Sequence, residues 1–179
     1  AGYINKKPLK ELCKVADAAN VDLKSFEDSY YRKICAGTLK PVLDGLIVMK
    51  EEGVFVEITN LIVPTLNDDM GLIKKMCTWI RENLGGDTPL HFSRFYPIYR
   101  LRNLPLTPVK TLVAARETAM SEGLKYVYIG NAPGNAGENT VCPGCNKTVV
   151  ERRGYMVMKN FVKNGTCGYC GYEISGIWS

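Results

Sequence analysis

Four cysteines near the end of the chain carry the most specific chemical signal. They form two Cys-X-X-Cys pairs, Cys142–Cys145 and Cys167–Cys170, with 21 residues between the inner cysteines. Thiolates at this spacing can close tetrahedrally on one metal ion as two knuckles joined by a short β excursion. We expect structural zinc, because a closed four-thiolate site leaves no open position for catalysis. Iron or an iron–sulfur cluster, and disulfides, are the alternatives.

A second group of candidates lies in the body of the chain, at the end of a short strand-like segment. Asp22 and Lys24 are two residues apart, so on a strand they point to the same side. At the C-terminal rim of parallel strands, where sites are built, an ammonium and a carboxylate can bind a ligand. The same two residues could equally form a surface ion pair.

Polar residues also interrupt the strongest strand pattern of the chain, Val54 to Val63. Alternation places Glu57 and Thr59 on one face of that strand and the apolar residues between them on the other. A carboxylate buried in a sheet needs a partner. The pattern therefore indicates either a polar barrel lumen that binds a ligand or a strand end that reaches solvent.

The third strand pattern, residues 90–96, holds the only histidine, His91, together with Arg94. A lone histidine is more often structural than a ligand or a base. The guanidinium of Arg94 could bind a carboxylate or be paired on the rim.

The elements that position these residues alternate between strands and helices. Strands are predicted at 20–24, 54–63, 90–96 and 125–130, and helices at 8–19 and 26–35 and after Thr38, Asn67 and Thr107, with Thr107 as N-cap before Pro108. The alternation predicts a parallel α/β sheet, and the apolar 54–63 run predicts burial on both faces. Four strands are too few for a closed barrel, which leaves a small open sheet or the back part of a larger barrel.

The glycine- and proline-containing segment 131–138 resembles a linker. It divides the chain into a body, residues 1–137, and a tail, residues 138–179. Within the tail, Tyr155–Met158 and Tyr172–Ser175 are predicted to be the short strands of a zinc ribbon.

Composition excludes several classes of protein. The 179 residues are 46% apolar and 23% charged, which is typical of a globular protein. No membrane-length apolar run and no secretory signal is visible, so we expect a cytoplasmic location. The net charge of +5 is modest and the basic residues are scattered, which argues against nucleic-acid binding.

A family resemblance rests on segments spread over the whole chain. The early segments are AGYIN (1–5), VDLK (21–24), FVEIT (55–59) and VPTLND (63–68); the later ones are HFSRFYP (91–97), LTP (106–108), YVYIGN (126–131) and PGNAGENT (133–140). The early segments resemble the pyruvate formate-lyase-activating-enzyme branch of the radical S-adenosylmethionine (SAM) enzymes. The later ones are similar to the radical SAM component of the AmmeMemoRadiSam group, whose members end in such a two-CxxC tail.

The resemblance implies a fold and a set of cofactor contacts. The fold would be α/β, a partial (half) TIM-like barrel of parallel βα units with a zinc-ribbon-like four-cysteine tail. The intact enzyme would use a 4Fe–4S cluster to cleave SAM to a 5′-deoxyadenosyl radical that abstracts hydrogen. The family's Asp-Leu-Lys segment contacts SAM, which implies this role for Asp22 and Lys24. The other candidates of the SAM and substrate site are Glu57, Thr59, Arg94 and Tyr96, the last standing where related activases carry a histidine.

One departure from the family shapes the prediction. The cluster-binding Cys-x3-Cys-x2-Cys motif does not occur, and Cys13, Cys35 and Cys77 are too far apart to replace it. We therefore expect the C-terminal half of such an enzyme, inactive alone. Its expected partners are the missing N-terminal half of the barrel and a protein substrate or a reductant. We also expect it to self-associate through the cut edge of its sheet. The alternative is a small α/β binding module with a zinc ribbon that docks to a protein or nucleic acid.

Overall fold

The computed structural model describes residues 2–178. The elements of the body are α1 (Lys6–Cys13), β1 (Ala18–Asp22), α2 (Asp28–Ile34), α3 (Leu39–Glu51), β2 (Phe55–Ile62), α4 (Met70–Asn83), β3 (Leu90–Arg94), α5 (Val109–Ser121) and β4 (Val127–Gly130). Strands and helices alternate in the predicted order. A short 3-10 turn, Tyr99–Leu101, lies between β3 and α5.

The four strands form one parallel sheet in the order β1-β2-β3-β4. Asp22 pairs with Thr59, Thr59 with His91, and His91 with Tyr128. One row of side chains therefore crosses the whole sheet. It lies at the carboxyl end of β1, in the middle of β2 and near the amino ends of β3 and β4. The predicted fold class, a half barrel of parallel βα units followed by a four-cysteine tail, is confirmed.

The two faces of the sheet differ in burial. Along β2, Val56, Ile58 and Ile62 are buried in the apolar core, whereas Glu57 and Thr59 on the other side are half-buried. The prediction of a strand buried on both faces is wrong: helices cover only one face, and the polar residues lie on the other. We call this second surface the open face; it carries Asn20, Asp22, Glu57, Thr59, His91 and Tyr128.

A buried asparagine fixes the carboxyl ends of the first two strands. The side-chain amide of Asn67 donates to the carbonyls of Lys24 and Leu61 at 2.6 and 2.9 Å, and its Oδ1 accepts from the Val63 amide at 2.6 Å. A loop leaving a sheet has backbone groups without ladder partners, and one side chain satisfies three of them here. These three bonds hold the carboxyl ends of β1 and β2 together beside Asp22 and Lys24.

The first helix is shorter than predicted. It ends at Cys13 rather than Ala19, and Ala18 and Ala19 pair with β2 as part of β1. Val15, placed on the apolar helix face by the periodicity, is 81% exposed. Pairing with a buried strand outweighs a helical pattern of this length. Within residues 2–178, no helix is both long enough and apolar enough to cross a membrane.

The threonine predicted to cap the last helix of the body has a different role. Thr107 is fully buried; its hydroxyl donates to the Ile62 carbonyl at 2.6 Å and accepts from the Phe95 amide at 3.0 Å. The helix α5 begins at Val109, and Pro108 takes the N-cap position. Thr107 therefore forms hydrogen bonds with backbone groups at the ends of β2 and β3 inside the core. It does not cap the helix that follows.

The tail contains a small antiparallel sheet of β5 (Thr140–Val141), β6 (Thr148–Arg153) and β7 (Met156–Asn160), and a two-stranded pair of β8 (Val162–Lys163) and β9 (Thr166–Cys167). A strand near 155–158 is thus confirmed. The predicted strand Tyr172–Ser175 is wrong, since it makes only one bridge, between Glu173 and Thr166. Its chain turns inward to bury Ile174 instead. The domain boundary at 137/138 falls within a 3-10 turn, Ala136–Glu138, and stays a prediction.

The tail packs against the body at the start of β4. Tyr126 is buried in one cluster with Cys142, Val149, Cys167 and Ile174 of the tail. The hydroxyl of Tyr126 also accepts a hydrogen bond from the Ser175 amide at 3.1 Å. This contact holds the tail on the β4 side of the open face.

Candidate functional site

The four tail cysteines converge on one point. Their Sγ atoms all lie within 4.8 Å of one another, and the cross-knuckle distances are 3.6 Å for Cys142–Cys170 and 3.8 Å for Cys145–Cys167. Zn–S bonds of about 2.3 Å in a tetrahedron place the sulfurs about 3.8 Å apart. A disulfide needs about 2.05 Å, so the thiols are unbridged. The spacing fits one tetrahedrally bound metal ion.

Both Cys-X-X-Cys turns have the same backbone form. The amide of Asn146 donates to the Cys142 carbonyl at 2.9 Å, and the amide of Gly171 donates to the Cys167 carbonyl at 2.8 Å. Asn146 and Gly171 both adopt a positive φ, 57° and 76°. Asparagine and glycine are the residues that adopt this conformation most readily, so the local sequence pre-shapes each knuckle.

A cavity of about 510 Å³ lies over the open face, between the sheet and the tail. Polar side chains of both regions line its wall, together with the apolar residues Ile129, Ala132 and Pro133. The sheet and the following loop contribute Asn20, Glu57, Thr59, His91, Ser93, Tyr128 and Asn131, and the chain beyond contributes Glu138, Arg152 and Tyr155.

Glu57 and His91 form a hydrogen-bonded pair in the floor of this cavity. The distance from His91 Nε2 to Glu57 Oε2 is 3.2 Å, and the imidazole stacks on the Tyr128 ring with centroids 4.9 Å apart. The bond from His91 lowers the pKa of Glu57, against the effect of burial, and a bond from Asn20 acts in the same direction. Glu57 is therefore ionised at neutral pH, in reach of a ligand.

The tail places a guanidinium above this floor. Arg152 Nη1 donates to Thr140 Oγ1 at 2.7 Å, and its Cζ lies 6.0 Å from the centroid of the Tyr128 ring. The hydroxyls of Tyr128 and Thr140 are 3.1 Å apart. None of the ion pairs within residues 2–178 includes Arg152. Aromatic and hydroxyl groups orient this cation, whose charge also helps to lower the pKa of Glu57 across the cavity.

Asp22 and Lys24 lie beside a different cavity, of about 330 Å³, that Tyr3, Tyr31 and Cys35 also line. Lys24 Nζ is 2.8 Å from Asp22 Oδ1, and each side chain is about one-third exposed, 35% and 37%. The Lys24 amide donates to the Tyr31 hydroxyl at 3.0 Å. Burial raises the pKa of Tyr31 to about 12, so this phenol stays neutral at the cavity wall.

Arg94 and Tyr96 form a third group, at the carboxyl end of β3. Arg94 Nε donates to the Thr107 carbonyl at 2.8 Å, and its guanidinium carbon lies 5.6 Å from the centroid of the Tyr96 ring. The Tyr96 hydroxyl donates to the Asn131 carbonyl at 3.1 Å. Neither side chain lines the open-face cavity. The six predicted body residues are thus brought together in three pairs rather than in one cluster.

Asn20, Tyr128 and Arg152 line the open-face cavity but are not among the predicted site residues. Asn20 accepts from the Thr59 hydroxyl at 2.9 Å, and its register opposite Glu57 could have been found from the parallel-strand pattern. Tyr128 could have been found in the same way, because the alternation along β4 places it on the same face of the sheet as His91. Arg152 carried no sequence signal, because its place depends on how the tail folds back.

The described residues do not fit a 4Fe–4S cluster in the body. Within residues 2–178, the tail cysteines are the one group of three or more potential metal-ligating residues that converge. Cys77 is buried in α4, where burial raises the pKa of its thiol to about 12. Cys13 and Cys35 lie at the ends of other helices.

Comparison with known proteins gives one sequence relative. An uncharacterized protein of Methanocaldococcus jannaschii is 47% identical over 175 residues, which is 97% of this chain and 52% of the relative. The chain thus spans about half the length of that relative. No protein-family profile matches the chain.

Two solved structures share the fold. A domain of a pyruvate-formate lyase-activating enzyme from Bacteroides vulgatus superposes with a TM-score of 0.62 at 15% identity, over 71% of this chain and 75% of that domain. A radical SAM methyltransferase from Sphaerobacter thermophilus gives 0.55 at 11% identity, over 75% of this chain and 41% of the methyltransferase. The fold of this chain is therefore one that occurs in radical SAM proteins.

Proposed function

We propose that this chain is the C-terminal portion of a radical SAM enzyme of the activating-enzyme type, in the AmmeMemoRadiSam branch. The observation that carries the proposal is the half barrel itself: a parallel sheet of the fold found in radical SAM proteins, with polar side chains at its carboxyl edge. When bound, SAM and a 4Fe–4S cluster supply the radical chemistry. The chain supplies part of the surface around them.

The Asp22–Lys24 pair is the part that fits SAM. The methionine end of SAM carries both a carboxylate and an amino group, and these match the ammonium and the carboxylate 2.8 Å apart beside the cavity. Within residues 2–137, no group of cysteines converges that could hold the cluster, so its ligands would come from a separate part of the barrel. The isolated chain is then expected to bind SAM weakly and not to cleave it.

The tail has a structural role in this proposal. Four thiolates enclosing one ion leave no open coordination position, which is the pattern of structural zinc rather than catalytic zinc. Zinc would fix the tail against β4, while iron in the same knuckles would give a redox centre. Metal analysis of the protein purified without added metal separates the two.

Calorimetric titration with SAM tests the proposal. Lys24→Gln removes the ammonium that would meet the SAM carboxylate and should weaken binding at least about tenfold. Lys33→Gln, on the exposed face of α2, is the matched control and should leave it unchanged. Equal affinity in the two variants would contradict the assignment of Lys24. The half-enzyme hypothesis would be contradicted if the isolated chain, loaded anaerobically with iron and sulfide, produced 5′-deoxyadenosine.

We also propose that the isolated chain self-associates through β1. This strand is at one edge of the sheet, with only β2 beside it, and an edge offers unpaired backbone groups to another strand. Sedimentation analysis should show a concentration-dependent dimer. A monomer over the whole concentration range would refute the edge contact.

One observation favours the binding module as a second candidate. All five residues of β7 are exposed, and Tyr155 beside it is fully exposed. An edge strand of this kind can pair with a partner strand or stack on bases. Fluorescence anisotropy with single-stranded RNA at two salt concentrations tests the nucleic-acid arm, and salt-dependent micromolar binding would support this candidate over the enzyme fragment.

A further inference from the structure

Arg152 belongs to the tail, yet it lines a cavity whose floor belongs to the sheet. We propose that this cavity binds a small molecule that carries an oxyanion, a carboxylate or a phosphate, and that Arg152 is the residue that holds it. The Asp22–Lys24 pair, assigned above to SAM, lines another cavity, whereas Glu57 and Thr59, the further candidates of the SAM and substrate site, line this one; the ligand proposed here is not SAM. The inference goes beyond the proposed function, because it requires no cluster and no radical.

The contacts of Arg152 leave it ready for an anion. One N–H of Nη1 is used by Thr140, and the guanidinium carbon lies 6.0 Å from the centroid of the Tyr128 ring. A guanidinium has five N–H donors in a planar fork that matches a carboxylate or a phosphate in a bidentate way. Since no carboxylate within residues 2–178 pairs with Arg152, its charge is available to a ligand.

The opposite side of the cavity selects the other end of the ligand. Glu57 is an acceptor held by His91 and Asn20, so it repels an oxyanion and accepts from a hydroxyl or an amino group. The second carboxylate of the wall, Glu138, is bound to the Gly154 amide at 2.9 Å. The ligand class is therefore a small oxyanion with a hydrogen-bond donor at its other end.

The volume agrees with this class. Sites for small molecules enclose roughly 300–1,000 Å³, and this cavity of about 510 Å³ lies within that range. The walls are composite: Glu57 and His91 come from β2 and β3, and Arg152 comes from β6. The Arg152 amide also donates to Asn139 Oδ1 at 2.8 Å, which ties β6 to the loop beside the cavity.

The single histidine makes the test direct, because His91 gives the only imidazole signals of the chain. The zinc-loaded protein is titrated with inorganic phosphate and, separately, with L-malate, which has carboxylates and a hydroxyl donor. The ionic strength is held constant. We expect a saturable shift of the His91 Cε1–H signal with at least one of the two probes. Arg152→Gln should weaken that binding at least about tenfold, since a charge-assisted bidentate contact is lost.

The neighbouring Arg153, which is exposed and lies outside the cavity wall, provides the matched control. Arg153→Gln should leave the affinity unchanged, and so should Lys24→Gln in the other cavity. If Arg152→Gln loses its zinc or its dispersed spectrum, Arg152→Lys replaces it; without the planar fork it should still weaken binding about threefold or more.

Three results would overturn the proposal. They are the absence of a saturable shift with both probes, equal losses in the Arg152 and Arg153 variants, and a loss in Lys24→Gln as large as in Arg152→Gln. The last would place the ligand at the candidate SAM contacts instead. Failure of SAM binding in the calorimetric titration leaves all three results unaffected, so the two proposals fail separately.

Discussion

The body and the tail are held together by different forces. The body has a continuous cluster of 26 buried residues between the helices and one face of the sheet. The tail cluster has five, of which Tyr126 belongs to the body and two are cysteines of the four-cysteine group. A core of that size contributes too little to offset the conformational entropy of about forty residues. We therefore expect burial to fold the body and metal binding to fold the tail.

Metal removal should produce the largest difference in stability between the body and the tail. A chelator, or Cys142→Ser, should unfold residues 140–178 and leave the body intact, because structural zinc sites contribute about 10 kcal/mol or more of folding free energy. The two tryptophans report the regions separately: Trp79 packs in the body against Phe26, and Trp178 donates to the Ile174 carbonyl in the tail.

The measurement is the pair of indole N–H signals in the NMR spectrum. The Trp178 signal should move to its random-coil position while the Trp79 signal stays. Cys35→Ser, which removes an exposed thiol outside the four-cysteine group, should change neither. A dispersed Trp178 signal in metal-free protein would mean that the tail folds by burial after all.

Asn67→Ala should have the opposite selectivity. It removes three hydrogen bonds at the ends of β1 and β2 and leaves buried backbone groups unpaired, so it should destabilise the body by about 2–4 kcal/mol. Urea unfolding followed at the Trp79 signal measures this free energy. Asn83→Ala, which removes one exposed bond to the Trp79 carbonyl, is the control. Equal effects of the two substitutions would show that the rim is not fixed by Asn67.

Tyr126→Phe tests the contact between the two regions. It removes the acceptor of the Ser175 amide and keeps the buried ring, so the loss should be about 1 kcal/mol. We expect hydrogen exchange to rise at Ser175 and its neighbours in the tail, with the amides of β1–β3 unchanged. Uniformly faster exchange in both regions would contradict a local contact.

The smallest expected effect is on the titration of Glu57. His91→Phe keeps an aromatic ring beside Tyr128 and removes the hydrogen bond that lowers the pKa of Glu57. The pKa of Glu57 should rise toward its ordinary value near 4.5. Carbon-13 NMR of the side-chain carboxyl measures it, and an unchanged titration would exclude His91 as the cause.

The sign of the linked stability follows from the lowered pKa. The contribution of Glu57 is fully present above its unfolded pKa and is lost as pH falls through its lower folded pKa. The wild-type protein should therefore lose more stability than His91→Phe on acidification through that window.

Much of the fold could be predicted from local pattern, because alternation and helical periodicity are properties of short segments. The order of helices and strands, the shared face of Glu57 and Thr59, and the four-cysteine group all followed that way. The errors occurred where distant partners competed. Ala18 joins a strand because β2 lies beside it, and Thr107 is buried because Ile62 and Phe95 need its hydroxyl.

The candidate sites divide along the same line. The four-cysteine group could be found from the sequence alone, because two knuckles of fixed turn geometry carry the four thiols and one β excursion joins them. The position of the other candidates depends on the folded molecule, in which Asp22 and Lys24 lie beside one cavity and Glu57 and His91 lie in another. The folded molecule also places Arg152 beside Tyr128. That approach joins elements far apart in the chain, and their meeting is set by packing of the whole molecule rather than by any local preference.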